Sequence, residues 1–260
     1  MHSDLDFALE LADLADSIAL DRFRAADLVV ETKPDMTPVT EADRAVERAL
    51  RDHIAAKRPG ESVVGEEYGG SGETGASRWI LDPIDGTKNY VRGIPIWATL
   101  IAFEREGGLV AAVASAPAMG RRWWAAKGSG AFADGRPIAV SRVSRLEDAQ
   151  VCYSGLGGWR RAGLRDNLIA LTDRSWRSRG FGDFWMHVLV AEGSADVATE
   201  PEVSLWDLAA VELIVEEAGG RFTDLTGVAR PDGGSALSTN GLLHDEVLGL
   251  LGGNIERVDL

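Results

Sequence analysis

The feature that most restricts what this chain can fold into is a change of pattern near residue 145. Upstream of it, apolar runs follow one another across short glycine-containing connections. Segments 97–105 and 109–116 flank Glu106-Gly107-Gly108, which reads as a hairpin turn, and 121–126, 131–133 and 138–140 continue the series. Downstream, extended and helical patterns alternate: strands at 149–154, 176–180, 195–199 and 221–223, with helices at 164–172, 183–192 and 205–218 between them. A polar loop and a short helix near 243–251 close the chain. Two sets of strands with helices between them predict two sheets in an α/β sandwich, divided into a lobe of residues 1–145 and a lobe of residues 146–260.

Two helices and two extended segments precede that series. Ser3 can cap a first helix whose apolar stripe is Leu5, Leu9, Ala12, Ala15, Ala19 and Phe23. After a turn at Lys33-Pro34-Asp35-Met36-Thr37-Pro38 comes a second, with Thr40 as cap, Asp43 three residues on, and Val46, Leu50 and Ile54 on one face. Pro59-Gly60 stops it. Extended segments at 62–65 and 78–81 follow, separated by the Gly/Ser/Thr-rich loop 69–77.

Charge and cysteine content exclude several classes of function. The 41 acidic and 27 basic side chains leave a formal charge of −14, which argues against nucleic acid or an anionic membrane as partner, since a phosphate surface calls for a basic face. One cysteine, Cys152, permits no internal disulfide and no cysteine-based zinc cluster, and the four histidines fall at positions without ligand spacing. Asp4, Asp6 and Glu10 stand where a signal peptide carries positive charge, and no run reaches the ~20 apolar residues of a membrane span. The expectation is a soluble, cytoplasmic protein.

The chemistry concentrates in Trp79-Ile80-Leu81-Asp82-Pro83-Ile84-Asp85-Gly86-Thr87-Lys88-Asn89. An apolar strand ends in two aspartates three apart. Pro83 fixes one φ angle, so that Asp82 and Asp85 can converge across a tight turn with the Ile84 carbonyl. Such oxygen ligands suit Mg²⁺, and free N–H groups at Gly86-Thr87 can hold a phosphate. Taken as a pair of acids alone, Asp82 can equally end a strand and Asp85 cap a helix. Glu66, in Gly65-Glu66-Glu67, is by itself an ordinary loop acid, and Asp207, after Trp206, an N3 capping residue.

Together these segments resemble the inositol monophosphatase family. The resemblance extends to Pro38-Val39-Thr40-Glu41-Ala42-Asp43, Trp206-Asp207-Leu208-Ala209-Ala210 and Glu216-Glu217-Ala218-Gly219-Gly220, in order, over about residues 4 to 250. It implies an α-β-α-β-α layered fold, a homodimer, and an Mg²⁺-dependent phosphomonoesterase binding two or three ions. Glu66, Asp82, Asp85 and the Ile84 carbonyl are then metal ligands, with Asp207 joining Asp82 and Asp85 at the second ion. Thr87 and Asp43 would orient and deprotonate the attacking water with help from Glu66, and Gly86 and Thr87 would cradle the phosphate. Five clustered carboxylates would repel a phosphate dianion unless cations intervened, and none of these motifs places a covalent nucleophile.

For the substrate alcohol, Arg179-Gly180-Phe181-Gly182-Asp183-Phe184-Trp185 departs from the small Ser/Thr-Ala pair expected of inositol phosphatases. Asp183, followed by aromatics, and Glu200 before Pro201 resemble the histidinol-phosphate phosphatase branch of the family, as does the stretch 33–40. Two extra carboxylates suit a cationic alcohol such as L-histidinol, with Asn89 and Asp207 beside it. Asp183 is also well placed as a helix N-cap, and His187, one turn later, reads as structural more than substrate-facing. Inositol-1-phosphate, fructose-1,6-bisphosphate and 3′-phosphoadenosine phosphates remain as other substrates, and a catalytically silent scaffold as the non-enzyme reading.

Overall fold

The computed structural model describes residues 3–34, 36–71 and 77–252. Asp35 and residues 72–76 of the glycine-rich loop lie outside them. The chain runs from α1 (Asp4–Arg22) through the hairpin β1 (Val30–Thr32) and β2 (Pro38–Thr40) into α2 (Glu41–Lys57). Both helices start as expected. Ser3 Oγ accepts from Asp6 N while Asp6 returns a bond to Ser3 N, and Thr40 with Asp43 repeats the arrangement.

An antiparallel-rich sheet follows: β3 (Ser62–Gly65), β4 (Gly69–Ser71), β5 (Ser77–Asp85), then the short α3 (Thr87–Val91), β6 (Ala98–Arg105), β7 (Gly108–Ala116), β8 (Arg121–Ala126), β9 (Ala131–Ala133) and β10 (Arg136–Ile138). Its order is β10-β9-β8-β7-β6-β5-β3-β4, with β3 and β5 parallel. The second sheet draws on β11 (Gln150–Tyr153), α4 (Leu156–Arg161), α5 (Arg165–Asp173), β12 (Arg177–Arg179), α6 (Asp183–Ala191), β13 (Val197–Glu200), α7 (Leu205–Glu217), β14 (Arg221–Thr223), β15 (Ala236–Thr239) and α8 (His244–Gly252), with strand order β12-β11-β13-β15-β14.

Why β5, β6 and β7 read as unbroken apolar runs is now plain. Successive strand residues face opposite sides, and both sides of this sheet are covered. On one side Trp79, Leu81, Ile101 and Phe103 pack with Leu11, Val46 and Leu50 of α1 and α2. On the other, Ile80, Leu100, Ala102, Ala112 and Ala114 pack with Phe184 and Val188 of α6 and with Leu208, Ala209 and Val211 of α7. Alanines on both partners let α7 lie close to the sheet. The second sheet's far face carries Trp159, Leu168, Leu171, Val247 and Leu251 of α4, α5 and α8. The result is an α-β-α-β-α stack, as the resemblance implied. No helix among the described residues is long and apolar enough to cross a membrane.

Three local expectations need correction. Residues 236–239 form β15, buried between β13 and β14, where a polar loop was expected; Ser238 and Thr239 mask the strand because their hydroxyls bond His187 and His244. The helix α4 escapes a propensity reading because Gly157 and Gly158 lie inside it. The last strand of the first sheet spans Arg136–Ile138 in place of 138–140. Trp123 is core, its Nε1 donating to Glu192, while Trp124 stacks on Phe132.

Glu212, in the middle of α7, is 7% exposed and its Oε2 has no hydrogen-bond partner. Burial, then repulsion from Glu216, Asp232 and Glu104, pushes its carboxyl up to about 8. The folded state therefore holds a proton that the unfolded chain has released above pH ~4.5, and stability falls as pH rises through that window to about 8. Glu212→Gln is expected to remove this loss, on the order of 5 kcal/mol. Its melting temperature should exceed that of the unaltered chain by more at pH 8 than at pH 5. Equal differences at both pH values would detach Glu212 from the effect.

Candidate active site

In a regular strand Asp82 and Asp85, three apart, would point to opposite faces. The register of β5 against β6 shifts between them: Asp82 pairs with Leu100 and Asp85 with Ala98. Three steps on one strand are matched by two on the other, so one extra residue is absorbed and both carboxylates emerge on the same side. Pro83 fits such a bulge because it has no N–H to leave unpaired, and its carbonyl accepts from Thr99 Oγ1 at 2.8 Å. Ile84 N donates to Asp82 Oδ1 at 3.0 Å and locks the bulge from inside. The convergence thus comes from a bulge within a strand that continues to Asp85, in place of a turn after Leu81.

Asp207 reaches the same spot from the first turn of α7, where its Oδ2 also accepts from Ser204 N at 2.8 Å. Carboxylate oxygens of Asp82, Asp85 and Asp207 lie within 4.8 Å of one another. Burial raises all three carboxyls, Asp82 and Asp85 well above the ordinary value and Asp207 to about 7; repulsion adds to it, led by Glu66 at Asp82 and Asp207 and by Asp183 at Asp85. Asp82 Oδ2 is buried without any partner. Three hard oxygen donors, one of them orphaned, suit a divalent cation such as Mg²⁺ or Ca²⁺.

Glu66 lines the same cavity but its carboxylate is engaged elsewhere. Lys33, on the turn of the β1–β2 hairpin, places Nζ 2.7 Å from Glu66 Oε1 and 2.6 Å from Glu67 Oε1. Glu47, fully buried on α2, holds the Glu66-Glu67 turn by accepting from Glu67 N and Tyr68 N. A Cβ on Gly65 would fall 2.2 Å from Glu47 Oε1, so a side chain there would push the Glu47 carboxylate off the turn it holds. The Ile84 carbonyl accepts from Thr87 Oγ1 at 3.0 Å.

Thr87 opens α3 behind Gly86, whose φ of 85° is the left-handed conformation. The Thr87 hydroxyl also lies 3.3 Å from Asp43 Oδ1. Asp43 has no exposure; its Oδ2 accepts from Thr40 N and Thr40 Oγ1. Burial outweighs those bonds and lifts its carboxyl to about 6. Thr87 faces the cavity and Asp43 stands behind it.

The cavity, about 780 Å³, is also lined by Asn89, Asp183, Glu200 and Trp206. Asp183 is no helix cap: Gly182 holds that position, with no side-chain cap on α6, and Asp85 Oδ2 takes the Phe184 N–H at 2.6 Å. Asp183 itself has φ 51°, an unfavourable conformation for a side-chain-bearing residue. Its Oδ2 accepts from Asn89 Nδ2 at 3.2 Å, and burial followed by Glu200 raises its carboxyl to about 6. His187 does not reach the cavity surface; it lies behind Glu200, with Nε2 3.1 Å from Glu200 Oε1. The ion pairs of Lys33 and the turn-holding bonds of Glu47 carried no signal in local sequence pattern, because their partners are distant in the chain.

The model of the inositol monophosphatase family matches residues 1–254. The chain is 58% identical over 252 residues to a histidinol-phosphatase of Mycobacterium tuberculosis, covering 95% of this chain and 97% of that one. It is 55% identical over 258 residues to a histidinol-phosphatase of Streptomyces coelicolor, covering 95% and 96%. Among solved structures, the Thermotoga maritima IMPase superposes with a TM-score of 0.87 at 32% identity, over 96% of each chain.

Proposed function

This chain belongs to the inositol monophosphatase family, and from that premise we propose that it hydrolyses L-histidinol phosphate to L-histidinol and inorganic phosphate. Asp183 carries the substrate assignment. It is a half-buried carboxylate that caps no helix, held by Asn89 in a strained backbone, and Glu200 lines the same cavity. A neutral polyol has no use for two such acids, whereas the cationic groups of histidinol pair with them. Two relatives more than half identical to this chain are named for that activity.

Asp82, Asp85 and Asp207 would hold Mg²⁺, with Glu66 and the Ile84 carbonyl completing the ligand set. Bound there, such cations neutralise the phosphate's charge and acidify water. The remaining work belongs to the chain. The Gly86-Thr87 backbone positions the phosphate, and a Cβ at Gly86 would press on the Ile96 carbonyl at 3.1 Å. Thr87 Oγ1 accepts a hydrogen bond from the attacking water and passes its own proton toward Asp43 Oδ1. Asp43, held near neutrality in its proton affinity by burial, is suited to receive it. Asp183 and Glu200 orient the alcohol that leaves.

Phosphate release with Mg²⁺ tests this reading. L-histidinol phosphate should be preferred over inositol-1-phosphate by about tenfold or more in kcat/KM, ~1.4 kcal/mol, and EDTA should remove both activities. Asp183→Asn should raise KM for L-histidinol phosphate by roughly tenfold and for inositol phosphate much less. An equal rise for both substrates would sink the cationic-alcohol assignment.

A further inference from the structure

Glu200 presents a puzzle that its cavity-facing neighbours do not solve. It ends β13, is 8% exposed, and shares the cavity with Asp85, Asp183 and Asp207. Its charge helps raise the carboxyls of all three, so it stands among other acids. A buried carboxylate also needs donors to stay in one orientation. The donor is behind it. His187, on α6, is 1% exposed and reaches Glu200 Oε1 through Nε2 at 3.1 Å.

His187 is itself fixed. Its Nδ1 lies 2.7 Å from Ser238 Oγ on β15, and the ring leans on Phe222 of β14, centroids 6.4 Å apart. Ser238 pairs with Ala198 of β13, two residues before Glu200. The three side chains therefore rest on adjoining strands and the helix packed over them. An ionised Glu200 requires a donor at Nε2, so Nε2 carries the proton and Nδ1 accepts from the Ser238 hydroxyl. The chain runs Ser238 O–H to His187, then His187 N–H to Glu200.

We infer that His187 is a positioning residue for substrate selection: with Ser238 it fixes the Glu200 carboxylate toward the cavity so that it receives the cationic part of the substrate. This rests on the reading of Glu200 as a contact for a cationic alcohol. The attacking water and the phosphate are not involved. His187 thus acts on recognition of the alcohol and leaves the hydrolytic groups unchanged.

The experiment uses the full chain with Mg²⁺, L-histidinol phosphate as the cationic substrate and p-nitrophenyl phosphate as a substrate whose leaving group carries no cation. His187→Phe keeps a ring and removes both hydrogen bonds. It should raise KM for L-histidinol phosphate by about tenfold or more, with kcat on that substrate and KM for p-nitrophenyl phosphate held within about threefold. His187→Gln restores an N–H near the Nε2 position and should bring KM back to within about threefold of the unaltered chain. Ser238→Ala, a smaller change, should raise the same KM by about two- to fivefold, and it carries the test if His187→Phe does not fold.

Glu200→Gln separates the two ways of failing. If it raises KM for L-histidinol phosphate but the His187 and Ser238 variants do not, the positioning role is wrong and the Glu200 contact stands. If Glu200→Gln leaves that KM unchanged, the reading beneath the proposal falls and the proposal with it. A parallel rise of KM for both substrates in His187→Phe, without recovery in His187→Gln, would mark a general deformation of the cavity and overturn it as well.

Discussion

Asp82→Asn is expected to lower phosphate release by roughly 10³-fold or more, ~4 kcal/mol at the transition state, while the chain folds normally. The bulge that aligns the site uses only Asp82 Oδ1, as acceptor for Ile84 N, and asparagine keeps that oxygen. What changes is the other atom. Oδ2, buried without a partner, becomes an amide nitrogen, which cannot ligate a cation and points its hydrogens among the Asp85 and Asp207 oxygens.

Two measurements distinguish this from misfolding. In EDTA, Asp82→Asn should melt no lower than the unaltered chain, since it removes a buried charge repelled by Glu66, Asp85 and Asp207. On addition of Mg²⁺, the unaltered chain should be stabilised, by about 2.7 kcal/mol at a hundredfold excess over Kd, and the variant far less. Full Mg²⁺ stabilisation in Asp82→Asn would remove Asp82 from the metal site.

Thr87→Val should reduce kcat by roughly 10²–10⁴-fold with little change in KM, the range of a lost general-base relay. Valine matches the shape of threonine and deletes one hydroxyl, the atom between the cavity and Asp43 Oδ1. Thr87→Ser restores the hydroxyl and should recover most of the rate. Asp43→Asn should cost a similar factor in kcat, but it is the less clean probe. Asp43 also closes the N-terminus of α2 through Thr40, and a lost cap costs ~1 kcal/mol of stability. If Thr87→Val kept kcat within about fivefold, the proton path through Thr87 would be wrong.

How much of this was readable in advance depended on whether a signal was local. Thr40 with Asp43 and the Ser3 cap are short-range patterns that appear where expected, whereas Asp82-Pro83-Ile84-Asp85 brings its two acids together through a bulge in place of the expected turn. The apolar runs at β5 and β6 read as strands, and the structure shows why they are unbroken: their sheet is covered on both faces. Lys33 is opaque in sequence because its partners, Glu66 and Glu67, arrive from beyond the next helix. His187 is opaque for a related reason. Its partners come from β13 and β15, and β15 looks polar only because Ser238 serves that histidine. For Asp183, sequence allowed both a cap and a ligand. The structure decides against the cap because Asp85 already holds the helix amide.

The distribution of these groups between the two sheets bears on how such an enzyme acquires a new substrate. Asp43, Glu66, Asp82, Asp85 and Thr87 hang from the first sheet and its covering helices, whereas Asp183, Glu200, His187 and Ser238 belong to the second sheet and α6. Both α6 and α7 pack between the sheets, and from α7 Asp207 joins the acids of the first group. Inheritance can therefore act on the halves at different rates. Drift in the second can retune which alcohol is admitted while the apparatus that severs the phosphate passes intact from ancestor to descendant.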